Sequence, residues 1–337
     1  MKKIVQIGWF DPAGMMNKFQ TAFDKHSEKY SIRNICFQDS SLKYPVDIII
    51  EQSTNIEHTI CEIQSIIDEA DIIILHTHIN GGDNMQHIMN DWDNMQINNF
   101  NIFNFIKDLN KPIIYYLNGS NNLRMYHKYY ADELKDKYVM CSTPDLKLLI
   151  GDHVFYAPGI IDLDDFIYTP LEYDKRNNIP KIIHTPTDPA VKNTNMFEEA
   201  IEILEQENKF KFKYENVYNI PHKLTMVYKK TSHILLDHLQ GYYGISSLEA
   251  AAQGCIPFIN LHPKVKEEFD KVSGVNTIPF INVESPEMIK PYLEAFLSNP
   301  ELLEQTCKVK HIWMKNNWQP KKLVTRMENY FDSLKNE

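Results

Sequence analysis

From Gly241 to Phe258 the chain reads as a glycine-bounded turn (Gly241, Tyr242, Tyr243, Gly244), a short alanine-rich helix with one acid, Glu249, and a strand closing at Phe258. Gly244 stands where backbone would pass close to a ligand, and the unpaired N–H groups of Ile245, Ser246, Ser247 and Leu248 would open the helix. Such groups, at the positive end of the helix dipole, suit a phosphate. Glu249 lies one turn in, within reach of a sugar attached to that phosphate. The same residues admit a plainer account: Ser246 and Glu249 have the spacing of a capping box, in which the acid satisfies an N–H group at the helix end.

Other stretches carry weaker chemistry. Gly14 sits at a strand-to-helix turn and is the second glycine placed for a phosphate. His76 and His78 put two imidazoles on one side of an extended chain, with Asp83 as a third candidate metal ligand, but residues at a strand end also line clefts or cap turns. Asp91 with Asp93, and Asp162 with Asp164, have a spacing that chelates metal-bound nucleotides and that also recurs by chance in exposed loops. No further ligand set of recognised spacing appears, so a metal-free site is expected. The chain has no dinucleotide-binding Gly-x-Gly-x-x-Gly, no P-loop and no Gly-x-Ser-x-Gly, which argues against dehydrogenase, kinase and esterase chemistry.

The elements that must position these residues follow from hydrophobic pattern. With 337 residues and 43% hydrophobic content, two domains that each bury a core are expected. Strands are predicted over 4–9, 32–37, 46–50, 72–75 and 113–117, alternating with helical stripes such as Ile56, Ile60, Ile63 and Ile67. After a polar connection over 172–180 the alternation resumes, with strands over 181–184, 234–236 and 256–259 and a helix carrying Phe197, Ala200, Ile201 and Leu204. A last helix over 321–334 buries Leu323, Met327, Tyr330 and Phe331. The fold class is therefore α/β, with two doubly wound, Rossmann-like domains.

Composition narrows the partners. A formal charge of −10, without any long Lys/Arg cluster, disfavours nucleic acid and stable binding to anionic lipid; Lys321, Lys322 and Arg326 leave room for no more than peripheral membrane contact. No run approaches the roughly 20 apolar residues that span a bilayer, and the apolar run at the N-terminus breaks too early for a signal peptide. Five scattered cysteines, odd in number and without a Cys-x-x-Cys pair, fit a reducing cytoplasm.

Taken with residues 232–239 before it, the Gly241 to Phe258 stretch resembles the nucleotide-sugar segment of the retaining GT-B glycosyltransferases of the family-4-like group. There an acid after a glycine-aromatic-glycine turn holds the donor ribose, which maps to Glu249. Many members carry an earlier glutamate, replaced here by Gly241. Residues 112–124 look like the family's strand followed by His-Gly-Ser and Arg, with Asn118 in place of the histidine that contacts the donor sugar, and Arg124 in place. Residues 183–194 resemble the loop that brings an arginine and a lysine to the donor diphosphate; Lys192 matches the lysine, Asp188 or Pro189 stands where the arginine would, and Asn193 replaces a glycine.

The resemblance implies two domains facing a central cleft: an acceptor domain at 1–170, a donor domain at 171–317, and a helix at 318–337 crossing back to the first. It implies a metal-independent, retaining glycosyltransferase that takes a UDP-, GDP- or ADP-sugar as substrate and needs no cofactor. Lys192, Glu249 and Asn118 would be catalytic; Gly14, Gly244, Ile245, Ser246 and Ser247 would hold the donor; His78 and Arg124 would lie on the acceptor side. The acceptor is a glycan, lipid-linked sugar, protein or small molecule. A GT-B epimerase or phosphorylase, or a silent nucleotide-sugar-binding subunit, are the alternatives.

Overall fold

Short Ile- and Val-rich runs, each too short for a stable helix, pair as parallel strands, and parallel strands need crossover connections that helices supply. A computed structural model describes residues 1–40, 42–77, 95–119, 121–173, 176, 179–218 and 220–334. His78, Asp83, Asp91, Asp93 and Ser120 lie outside the described residues. The chain divides into two compact units, Met1–Ile160 with Pro320–Glu337, and Ile161–Gln319.

In the first unit the strands are β1 (Lys2–Gly8), β2 (Tyr30–Cys36), β3 (Ile48–Ile49), β4 (Ile72–Thr77), β7 (Ile113–Leu117), β8 (Tyr138–Cys141) and β9 (Phe155–Tyr156), with β5 (Gln96–Ile97) and β6 (Phe100–Asn101) forming a separate antiparallel pair. The seven pair in the order β3-β2-β1-β4-β7-β8-β9, all parallel. The order reverses between β1 and β4, the kind of switch point at whose carboxyl strand ends ligands collect in open α/β sheets. The last helix, Pro320–Asp332, belongs to this unit: Phe331 meets Phe23, Tyr30 donates to Asp332 Oδ1 at 2.7 Å, and Ser27 donates to Glu328 Oε1 at 2.6 Å.

Gly14 ends the turn after β1 in the left-handed region (φ +71°), and a Cβ there would stand 2.4 Å from the Tyr44 ring. The N–H groups of Met16 and Asn17, which open the following helix Met15–His26, bond to the Asp11 carboxylate at 2.9 and 3.0 Å. Gly14 is thus required by conformation and by the ring lying on it. Gly14→Ala is expected to cost the first unit about 1–3 kcal/mol through overpacking, read from the urea midpoint; an unchanged midpoint would show that Tyr44 yields without cost.

The second unit has β10 (Lys181–His184), β11 (Lys213–Asn216), β12 (Ile234–His238), β13 (Ile256–Ile259) and β14 (Ile281–Asn282) in the order β11-β10-β12-β13-β14, again all parallel. Strand alternation sorts the core. Ile182, Ile234, Leu236, Ile256 and Phe258 pack with Phe197, Leu204 and Leu293 from the helices Thr194–Glu207 and Ile289–Ser298. Ile183, Leu235 and Cys255 belong to a second cluster with Ala250 of the helix Ile245–Ala252. Ala250, Ala251 and Ala252 are fully buried, and their small side chains let this helix lie close on the sheet. The order reverses between β10 and β12, and in open α/β sheets the loops after two such strands are where ligands ordinarily bind.

Candidate functional site

The loop after β10 carries Lys192, and the turn after β12 carries Gly244. Asn193, beside the lysine, adopts the left-handed conformation (φ 54°) that asparagine tolerates better than most residues, and its Oδ1 accepts from Leu239 N at 2.9 Å. Asn193 therefore takes a backbone geometry ordinarily left to glycine and adds a tie to the residue after β12. At the turn, Gly241 is the left-handed residue (φ +85°), whereas Gly244 is the extended N-cap (φ −109°) of Ile245–Ala252. Ile245 and Ser246 are half-buried at the helix opening.

Lys192 Nζ lies 2.6 Å from Asp237 Oδ1, and Ser247 Oγ donates to the other oxygen of the same carboxylate. A Cβ on Gly244 would meet Lys192 Nζ at 3.6 Å, Asp237 Oδ2 at 3.8 Å and His238 Nε2 at 3.8 Å. Lys192, Gly244 and Ser247 thus converge, with Asp237 and His238 as members that sequence reasoning left without a role. Burial by itself would raise the Asp237 carboxyl, but the charges of Lys192 and His238 and the hydrogen bonds from Lys192 and Ser247 hold it well below the usual range. An ammonium beside the first turn of a helix opposes the helix dipole, an arrangement that becomes favourable when an anion joins it.

Glu249 points elsewhere. Gly244 caps the helix without any side-chain hydrogen bond, so the capping box suggested by Ser246 and Glu249 is not formed. The Glu249 carboxylate is 2% exposed and is held by His222 Nε2 on Oε1 and Lys229 Nζ on Oε2, each at 2.8 Å. His222 and Lys229 stand two turns apart on the helix His222–Thr231, hence on one face. Near this carboxylate Tyr168 keeps its phenol proton far above ordinary pH, through burial first and the charge of Glu249 second.

In the first unit Asn118 follows β7 and ends a line of hydrogen-bonded amides that runs from the surface into the core. The Asp47 carboxylate only accepts, so Gln20 donates to it (2.8 Å), Asn34 to Gln20 Oε1 (2.8 Å), and Gln6 to Asn34 Oδ1 (2.8 Å). Gln6 Oε1 then accepts from His76 Nε2 at 2.8 Å, which leaves His76 Nδ1 facing the Asn118 amide nitrogen at 3.4 Å; that nitrogen also donates to Thr77 O at 3.1 Å. Every donor points the same way, so Asn118 is left presenting its oxygen, which has no hydrogen-bond partner among the described residues. Burial lowers His76 to about 3, keeping the imidazole neutral as this direction requires. Arg124 bonds to Asp145, the Gly119 carbonyl and Thr143 Oγ1, and so braces the turn after Asn118. Asp162, of the Asp162 and Asp164 pair, is a buried turn residue whose Oδ1 accepts from Asp164 N at 3.3 Å.

No protein-family model and no curated protein matches the sequence. Solved structures do match over the whole chain. A glycosyltransferase from Rickettsia africae superposes with a TM-score of 0.61 at 14% identity, covering 100% of this chain and 99% of that one. HepE of Anabaena, in complex with UDP and glucose, gives 0.63 at 11% identity over 99% and 100%. An alpha-glucosyltransferase in complex with UDP and a 13-mer DNA gives 0.61 at 11% over 99% and 100%. At these identities the likeness is one of architecture, and the architecture of this chain is the GT-B fold.

Proposed function

We propose that this protein is a glycosyltransferase that takes a sugar from a nucleotide sugar, UDP-sugars foremost, and passes it to an acceptor hydroxyl. The carrying observation is the Lys192 ammonium held beside Gly244 at the strand-order reversal of the second unit, where the helix Ile245–Ala252 opens. In this reading the diphosphate takes the N–H groups of Ile245 and Ser246 together with Lys192. Ser247 serves through its hydroxyl on Asp237, because its N–H is bonded to Gly244 O, and the ribose hydroxyls compete with His222 and Lys229 for Glu249. Glycosyl transfer builds positive charge on the sugar and negative charge on the departing diphosphate. A fixed cation and fixed N–H dipoles therefore stabilise the transition state more than the ground state, without a metal. The UDP complexes among the structural neighbours support the choice of nucleotide.

Asn118 is proposed to accept a hydrogen bond from a substrate hydroxyl, the role that its buried oxygen, without a hydrogen-bond partner among the described residues, fits. Retention of anomeric configuration is proposed from the resemblance to the family-4-like group. Calorimetric titration with UDP tests the reading. Wild-type protein is expected to bind, and Lys192→Ala to bind about ten- to a hundredfold more weakly, the worth of one hydrogen bond to a charged group. Absence of binding to UDP, GDP and ADP alike would remove the donor site.

A further inference from the structure

A phosphate-binding lysine is ordinarily most effective when no acid competes for it, yet here the ammonium rests 2.6 Å from a carboxylate that is 1% exposed. Asp237 cannot turn away. It leaves the end of β12, at the strand-order reversal, and Ser247 from the helix opening holds its second oxygen. It is also close to the place an anion would take, since a Cβ on Gly244 would lie 3.8 Å from Asp237 Oδ2 and 3.6 Å from Lys192 Nζ.

We propose that Asp237 is a built-in counter-charge that weakens the hold of this site on a nucleoside diphosphate and favours its release after transfer. The inference rests on the donor reading above. A diphosphate docking at Lys192 and the helix opening meets the fixed carboxylate and must share the ammonium with it. UDP carries more negative charge than the nucleotide sugar from which it is formed, so the repulsion falls more heavily on product than on donor. The carboxylate stays charged through the physiological range because Lys192, His238 and Ser247 together outweigh the effect of its burial. The same buried acid holds the lysine at the helix opening.

The test is Asp237→Asn, which keeps the shape and an oxygen to accept from Lys192 while removing the charge; the lysine is 15% exposed and can reach water. UDP and inorganic pyrophosphate are titrated into wild-type and variant protein by calorimetry, with uridine as the phosphate-free control. UDP and pyrophosphate are expected to bind the variant about tenfold more tightly, equivalent to about 1.4 kcal/mol, and uridine to bind both proteins alike. A residue serving the fold alone would not improve affinity for anions. Equal or weaker UDP binding by the variant, while wild type binds UDP, overturns this inference and leaves the donor reading standing. Binding of neither anion to either protein overturns both. Should Asp237→Asn not fold, Asp237→Ser also removes the charge and reads with the same sign.

Discussion

Glu249→Ala is expected to destabilise the second unit by about 3–5 kcal/mol, the usual penalty for leaving one member of a buried ion pair alone, and to abolish nucleotide binding with it. The cause is Lys229, whose side chain is 2% exposed and whose ammonium has the Glu249 carboxylate 2.8 Å away. An alanine scan alone would thus confuse a ribose contact with a structural acid. Replacing both members, as Glu249→Gln with Lys229→Met, removes the stranded charge; pairs exchanged in this way are often neutral in stability. Thermal denaturation should then return close to wild type. If Glu249 holds the ribose, UDP affinity stays lost in the double variant; recovered affinity would assign Glu249 to the fold.

How far such residues could be read in advance depended on whether their partners were near in sequence. Among the apolar central strands, β7, β10 and β13 were legible and start and stop where the apolar runs do, whereas β8, buried between β7 and β9, was not predicted. The edge strand β11 was not, because a strand paired on one side can be polar, and Lys213–Asn216 is exposed or half-buried throughout. The GT-B architecture came from the order of motifs, and the structural neighbours bear it out. Gly244 was chosen from local spacing and Lys192 from the resemblance of its loop, and the fold supplied what both lacked, an acid 45 residues beyond the lysine. Lys229, 20 residues before Glu249, was invisible for the same reason: on a helix a lysine reads as solvated until the facing element is known.

The direction of the amide line to Asn118 was also beyond sequence reading. An asparagine can present either face of its amide, and the pattern around residue 118 does not say which. The choice is settled at Asp47, through residues on β1, β2, β4 and the first helix, because a carboxylate at one end forces every amide after it. A substitution from histidine to asparagine then changes more than protonation. In the role proposed for Asn118 it replaces a ring that can donate by an oxygen that can only accept, which suits a hydroxyl or amine donor on the substrate.

Lowering the pH from about 7 to about 4.5 is expected to weaken the second unit before the first. A histidine whose folded pKa is depressed stabilises the fold above its ordinary value and loses that contribution as pH falls, because the unfolded chain takes the proton first. His233, lowered from 6.5 to about 4 by burial and then by Arg176, accepts from Lys181 N and so resists protonation. At about 1.4 kcal/mol per pH unit, two units below 6.5 forfeit about 3 kcal/mol. His184, also lowered chiefly by burial, adds to the loss in the same unit. The first unit forfeits a similar amount at His76 but recovers part of it at Asp11, whose carboxyl is raised by burial from 3.8 to about 6. A raised acid has the opposite sign: its penalty is present above the folded pKa and fades as pH falls, returning about 2 kcal/mol between about pH 6 and 4.5. Native-state hydrogen exchange reads the two units separately, and amides of β12 should lose more protection than amides of β1. His233→Asn, which keeps an acceptor for Lys181 N but cannot be protonated, should flatten the dependence in the second unit by about 2–3 kcal/mol. Equal losses in both units, or a slope unmoved by that substitution, would place the acid sensitivity outside these histidines.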